Sequence, residues 1–369
     1  METPDILIIG GGLIGCSLAR ELARAGRRVV VVDRGPNGIA STAAAGLLTP
    51  GLSDSPVGPL EELCHRSAFL YESWVTELRS EGAADVGFRR QGLLEVWTDP
   101  SLMNQQRRRL VEQARAERPY QLLSGEEVRR REPALDAAVL GGVYYPDDAQ
   151  VDPARLTREV ARIAEAAGAV LRENEPVYQL AWDRTRVKTV QTARTTYEPG
   201  CVVLTAGAWS GGLLQAVGLA LPVRPVKGQM VLADCRASPV SVPVSCGDAL
   251  LVPRPDGSLL LGVTLENVGF DDRVTIDGVC RILEGVRRLV PAVGALALAR
   301  CWAGLRPASP DGLPFMGQLP PLKNLWVCTG HYRKGILLAP ICARLMARSI
   351  LDDRLDEALV PFKPTRRAP

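Results

Sequence analysis

The chain has 369 residues, 46% hydrophobic and 23% charged, with a formal net charge of +3. That length suits two packed or interleaved domains, and the small, dispersed charge argues against a nucleic-acid surface. The densest basic runs, Arg107–Arg109 and Arg129–Arg131, sit in polar, helix-like stretches that read as solvated faces.

No segment reaches the roughly 18 apolar residues of a membrane span, and Met1–Asp5 lacks the basic start of an export signal. The nine cysteines include no C-x-x-C pair, and His65 and His331 are the two imidazoles. Reduced thiols in a cytoplasmic protein, without a metal site, are the expectation.

In chain order, the continuous apolar run Asp5–Ile9 predicts a buried parallel strand. Leu13–Ala25 has helical spacing and stops at Gly26, and Arg28–Val32 is a second strand closed by Asp33. Together they form a β-α-β unit. Ala40–Pro50 is a small-residue segment, and Pro59–Ser80 reads as a helix. Arg90–Trp97 is strand-like and Ser101–Arg118 a polar helix. Asp152 and Pro153 supply the N-cap and first position of a helix reaching Ala167. Strands follow at Gly168–Leu171, Val177–Ala181 and Cys201–Thr205. Leu221–Arg300 alternates as antiparallel sheet, with a helix near Asp277–Leu289. Leu325–Cys328 is a last strand, and a helix runs from about Gly335 to Leu351.

This order predicts a mixed α/β fold: a discontinuous Rossmann-like nucleotide domain with an inserted second domain on an antiparallel or mixed sheet. The expected division assigns 1–80, 149–221 and 301–369 to the first, and 81–148 and 222–300 to the second.

Gly10-x-Gly12-x-x-Gly15 leaves the first strand and opens the first helix. Gly10 permits the tight turn, Gly12 lets backbone approach a pyrophosphate, and Gly15 lets the helix pack close. Leu13 and Ile14 lie in the same turn. The helix N-terminus offers free N–H groups and positive potential. Asp33, 18 residues after Gly15, is placed to accept ribose hydroxyls, with Arg34 beside it. Ser41, Thr42, Ala45, Gly46 and Leu47 belong to a segment small enough to lie against an isoalloxazine ring; a plain small-residue loop is the other reading. Ala206, Gly207 and Trp209 form a Gly turn after a strand, suited to the adenosine half, with Val177 nearby in the same role.

On ILIIGGGLIGCSLARELA, ASTAAAGLLTP, DDAQVDPARL, VVLTAGAWS, RPVKGQM, LLVPRPDGSLLLGVT, CWAGLRPASPDGLPFMG and TGHYRKGILLAP, the chain resembles the glycine oxidase group of the D-amino-acid oxidase superfamily. The resemblance runs nearly end to end. It implies non-covalent FAD, a small amino-acid substrate, O2 as electron acceptor and a homo-oligomer. Cys301 is the cysteine to suspect if the flavin were attached.

Arg306 in GLRP presents a bidentate fork to a carboxylate; the resemblance implies the same role, and the alternative is a structural pair with Asp311. Arg333, in G-H-x-R-x-G, would assist or close the pocket. Gly304, His331, Tyr332, Lys334, Gly335 and Ile336 complete the flavin-side set, and the helix beginning at Gly335 would direct its positive end at the flavin. His331 reads as a packing residue, with acid or base work as the alternative, and His65 reads as a structural residue.

No side chain stands out as catalytic, because hydride transfer from Cα to flavin N5 asks mainly for positioning. The resemblance implies oxidation of the C–N bond of glycine or an N-substituted glycine, yielding glyoxylate, an amine or ammonia, and peroxide. Glycine-specific relatives usually carry Tyr where Leu250 stands and Asn where Lys334 stands, which favours a bulkier N-substituted glycine and leaves glycine and sarcosine as the alternatives. A dehydrogenase passing electrons to a partner, a flavin-bound non-catalytic protein and an NAD enzyme are the other readings.

Overall fold

The computed structural model describes residues 1–35, 37–51, 58–101, 103 and 119–366. Most of the expected helix at Ser101–Arg118, including Arg107–Arg109, lies outside the described residues.

The elements that position the site are, in chain order, strand β1 (Ile6–Ile9), helix α1 (Leu13–Arg24), β2 (Val29–Val32), the one-turn helix α2 (Ala40–Ala43) and helix α3 (Pro59–Ser80). They continue with helix α4 (Pro153–Ala166), β3 (Val170–Arg172), β4 (Cys201–Leu204), β5 (Arg224–Asp234), β6 (Ala249–Pro253) and β7 (Ser258–Gly262). The last are helix α5 (Ile276–Leu289), β8 (Ala297–Ala308), β9 (Phe315–Gln318), β10 (Leu325–Thr329) and helix α6 (Gly335–Leu351). Helix α4 begins where Asp152 Oδ1 accepts from Ala154 N and Arg155 N, both at 3.0 Å, with Pro153 at its first position.

Two large sheets organise the molecule. The first has six strands in the order β9-β10-β4-β1-β2-β3. It is parallel except for the β9–β10 pair. Its central strands β1 (ILII) and β2 (VVVV) read as uninterrupted Val, Ile and Leu because both their faces are covered. One face packs on α1, α3, α4 and α6, and the other on the hairpin of Val177–Trp182 and Val187–Thr192. The second sheet has eight strands. β8, β5, β7 and β6 form one side, followed by strands at Val244–Cys246, Leu93–Trp97, Gly141–Tyr145 and Gln121–Ser124. Its Val244–Cys246 pairing with Leu93–Trp97 is parallel, so the sheet is mixed. One face buries α5. The other carries Met230, Leu250, Val252 and Leu260 toward the first sheet.

The chain joins the sheets through close backbone contacts. Trp302 Nε1 donates to Ala43 O at 3.2 Å, and Leu305 N donates to Gly38 O at 3.0 Å. Gly304 makes this possible, since a Cβ there would lie 2.5 Å from that of Ala43.

Helix α6 contains Pro340, which has no N–H for the carbonyl four residues earlier. Tyr71 of α3 supplies the missing donor, its hydroxyl reaching Ile336 O at 3.0 Å, and Ser67 Oγ donates to Leu337 O at 2.6 Å. The start of α6 is thereby pinned from below.

Candidate functional site

A cavity of about 560 Å³ lies between the sheets. It opens beyond the carboxyl ends of β1, β2, β4 and β10, where Ile9, Val32, Thr205 and Thr329 line it, and is closed by β5, β6 and β8. Clefts of open α/β sheets form at such ends.

The glycine turn has the geometry its spacing implies. Gly10 has φ 113°, and a Cβ there would meet Thr205 O at 2.6 Å. A Cβ on Gly15 would fall 2.0 Å from Gly10 O, so only glycine lets α1 sit so close to the strand end. Helix α1 has no side-chain cap. Ser41 Oγ accepts from Leu13 N at 3.0 Å, and Gly12 and Ile14 line the cavity beside it. An uncapped helix N-terminus is suited to a phosphate. Asp33 accepts from Gly11 N at 2.7 Å through Oδ2 and from Gly35 N at 2.8 Å through Oδ1. The carboxylate therefore holds two turns while facing the cavity.

The structure brings almost all the expected residues together. Gly10, Gly12, Ile14, Asp33, Arg34, Ser41, Ala45, Gly46 and Leu47 share the wall with Val177, Ala206, Gly207 and Trp209. Gly304, Arg306 and the run His331–Ile336 close the far end, with Leu250 above them. Leu13, Gly15 and Thr42 do not line it. Leu13 is buried in the core behind the turn, Gly15 serves packing, and Thr42 points outward from α2. Arg34 stacks its guanidinium 4.0 Å over the Trp209 ring at the rim.

Arg306 projects from β8 over Gly228 of β5. A Cβ on Gly228 would lie 2.1 Å from Arg306 Nη2, which explains the glycine in RPVKGQM. Among the described residues Arg306 donates one hydrogen bond, from Nη1 to Thr264 O at 3.2 Å. The expected alternative, a pair with Asp311, is not formed: Asp311 accepts from Arg366 at 2.7 and 2.9 Å. Burial first, then the positive charge of Arg333, pushes the Arg306 guanidinium pKa down to about 10, which leaves it charged at neutral pH.

The turn carrying Arg333 is tied to the same strand. Tyr332 N donates to Pro307 O at 2.8 Å, and Tyr332 adopts φ 48°, a left-handed conformation uncommon outside glycine. Lys334 caps α6 and its Nζ donates to Thr49 O at 2.8 Å. Arg306, Arg333, Lys334 and the α6 N-terminus make one end of the cavity electropositive. His331 also lines the cavity, and its Nε2 lies 3.9 Å from Cys328 Sγ and 3.6 Å from Cys342 Sγ. His65 sits on α3 with Nε2 3.8 Å from Glu61. Cys301 packs against the α5 core, away from the cavity wall; Cys328 is the cysteine that lines it.

Residue-type reasoning missed several wall residues. Glu175, 1% exposed, accepts from Thr192 Oγ1 at 2.6 Å and Tyr197 OH at 2.9 Å. Its signal was the Glu-Pro step before Val177. Behind the wall, Arg254, also passed over, donates to Ala45 O at 2.6 Å and Val151 O at 2.8 Å, fixing the small-residue segment from the second sheet. Gly228, Met230, Val263 and Phe270 were not singled out either.

The cavity has a phosphate-ready turn at one end and a cation cluster at the other, and residues 5–349 of the chain match a known family model described as FAD dependent oxidoreductase. The chain belongs to that family. FAD is its cofactor, and the glycine turn, Asp33 and the uncapped α1 terminus fit that group. The glycine oxidase of Geobacillus kaustophilus has the same fold, with a TM-score of 0.95 at 33% identity over 100% of both chains. The iminodiacetate oxidase of Chelativorans sp. BNC1 superposes with a TM-score of 0.90 at 27% identity, covering 97% of this chain and 98% of that one. The bifunctional protein ThiO/ThiG of Nostoc sp. is 36% identical over 369 residues, 99% of this chain but 55% of that protein. The chain thus spans about half the length of that relative. Among the described residues no helix is long and apolar enough to cross a membrane.

Proposed function

We propose that this chain is an FAD-dependent oxidase of an amine α to a carboxylate, with an N-substituted glycine as its preferred substrate and glyoxylate, an amine and peroxide as products. The observation that carries this is Arg306: a half-buried guanidinium in the cavity wall with a single internal hydrogen bond and no acidic partner among the described residues. Five N–H donors on a rigid plane suit a carboxylate.

In this reading Arg306 grips the substrate carboxylate, with Arg333 adding positive charge at the same end of the cavity. Leu250, Met230 and Val263 form the apolar wall beside it. With the carboxylate fixed, extra bulk leaves the site through nitrogen and lies on that wall. When bound, FAD supplies the acceptor for the electron pair leaving the α-carbon. The residues contribute positioning and exclude water, and Lys334 with the α6 N-terminus sets a positive potential toward the cavity.

The glycine oxidase likeness supports the reaction class. The iminodiacetate oxidase supports room on nitrogen, since iminodiacetate is glycine bearing a carboxymethyl group there. The division into a flavin part (1–80, 149–221, 301–369) and a substrate part (81–148, 222–300) belongs to the same proposal, with Arg306 on a strand that crosses the seam. So do a cytoplasmic location and a homo-oligomeric state.

The test is anaerobic flavin bleaching, then peroxide yield in air, with glycine, sarcosine, D-alanine and longer N-alkylglycines. Bleaching that strengthens with the N-alkyl chain supports the proposal; bleaching that weakens steadily as that chain lengthens overturns the N-substituted preference, and no bleaching by any of them overturns the reaction class. Bleaching without peroxide would assign a dehydrogenase instead of an oxidase.

A further inference from the structure

Directly beneath the turn at residues 330–335, soft donor atoms from four segments converge. Cys328 lies on β10, Met316 on β9, Cys342 on α6 and His331 in the turn. Met316 and Cys328 are opposite each other in the antiparallel pair, so both side chains leave the sheet on the face that α6 covers. Cys342 comes down from the helix to meet them, its Sγ 3.4 Å from Met316 Sδ. His331 Nε2 stands 3.6 Å from Cys342 Sγ and 3.9 Å from Cys328 Sγ. The donor atoms of Cys328, His331 and Cys342 all lie within 4.8 Å of one another. All four residues are buried.

A tetrahedral d10 centre with metal–sulfur bonds of ~2.3 Å and metal–nitrogen bonds of ~2.0–2.1 Å has donor–donor edges of ~3.6–3.8 Å. Three of the six donor–donor distances, 3.4, 3.6 and 3.9 Å, approximate those edges. The set has two thiols, one imidazole and one thioether, and no oxygen. Such donors select soft cations over magnesium or calcium. The spacing conceals it in sequence: Met316, Cys328, His331 and Cys342 form no C-x-x-C or H-x-x-x-H pattern.

We propose that Cys328, Cys342, His331 and Met316 form a binding site for one soft thiophilic d10 cation, of the cuprous or cadmium type. Both thiols ionise on binding, so protons are released. Cys328 and His331 also line the cavity, which gives the ion an access route. Once seated, it links β9, β10 and α6 to the turn that carries Arg333, and it stabilises the folded state by preferential binding.

The test uses the FAD-loaded protein in a Cys280→Ser background, which removes the exposed thiol. It is titrated under argon with cadmium(II), and separately with copper(I), each against a competing chelator. The expected result is saturation at about one cation per chain. It should come with a thiolate-to-metal charge-transfer band, proton release and a raised Tm. Cys342→Ala should weaken binding at least about 100-fold, beyond the 10–100-fold cost of losing an outer-shell partner, and abolish the band. Met316→Leu, which keeps the core volume, should weaken copper(I) more than cadmium(II). His331→Gln gives a second route if Cys342→Ala does not fold. The proposal is overturned if binding does not saturate near one per chain, if Cys342→Ala or His331→Gln binds like the parent, if magnesium competes, or if Cys328 and Cys342 are found joined as a disulfide.

Discussion

Replacing Arg306 with alanine should abolish efficient turnover while leaving the flavin in place. The side chain's one hydrogen bond among the described residues goes to Thr264 O at 3.2 Å, so little of the fold depends on it. Its loss would leave a substrate carboxylate facing Met230, Leu250 and Val263 without its bidentate partner. Removing one member of a desolvated charge pair costs roughly 2–5 kcal/mol, or about 30- to 4,000-fold. Arg333 remains at the same end of the cavity and retains part of the attraction. The expected fall in kcat/KM is therefore about 100- to 1,000-fold. Arg306→Lys should recover only part of it, because an ammonium lacks the fork. The assay is stopped-flow flavin reduction by the best N-alkylglycine, with flavin content read from the visible spectrum. A variant that retains FAD and stays within about threefold of the parent kcat/KM would refute the carboxylate role.

Leu250→Tyr should narrow the apolar wall and move the kcat/KM ratio toward glycine; an unchanged ratio across the N-alkyl series would count against the assigned wall. Gly228→Ala places a Cβ 2.1 Å from Arg306 Nη2, so it should raise KM for the carboxylate substrate with FAD retained, consistent with an overpacking cost of about 1–3 kcal/mol. Tyr71→Phe removes the donor to Ile336 O that offsets Pro340, and should cost about 1–3 kcal/mol in urea denaturation. Acid precipitation should release the flavin to the supernatant; colour retained in the pellet would show a covalent link.

Local signals in the chain were strong where one element carries its own code. The β1-α1-β2 unit, Asp152-Pro153 at the head of α4, and Pro59–Ser80 and Gly335–Leu351 at both ends were legible because periodicity, caps and glycine punctuation act over a few residues. The Gly10 turn, Asp33 and Arg306 were legible for a related reason: their chemistry demands particular residue types at fixed spacing. Whether those residues share one cavity is a property of tertiary packing. So is the partner of Asp311, which sequence proximity suggested as Arg306 and the fold assigned to Arg366, 55 residues away. Thr42 lies one residue from Ser41 yet faces outward, because one position on a helix rotates a side chain by about 100°. Arg254 reaches Ala45 across 209 residues. The convergence of Met316, Cys328, His331 and Cys342 needs a strand pair, a turn and a helix packed together. Sequence by itself determined the elements that carry their own periodicity and caps and the chemistry each can offer, but not the strands at Gln121–Ser124 and Gly141–Tyr145 or the helix at Gly125–Arg131. Tertiary packing decided which of those groups meet, because contacts between distant segments are fixed by how sheets and helices bury their faces.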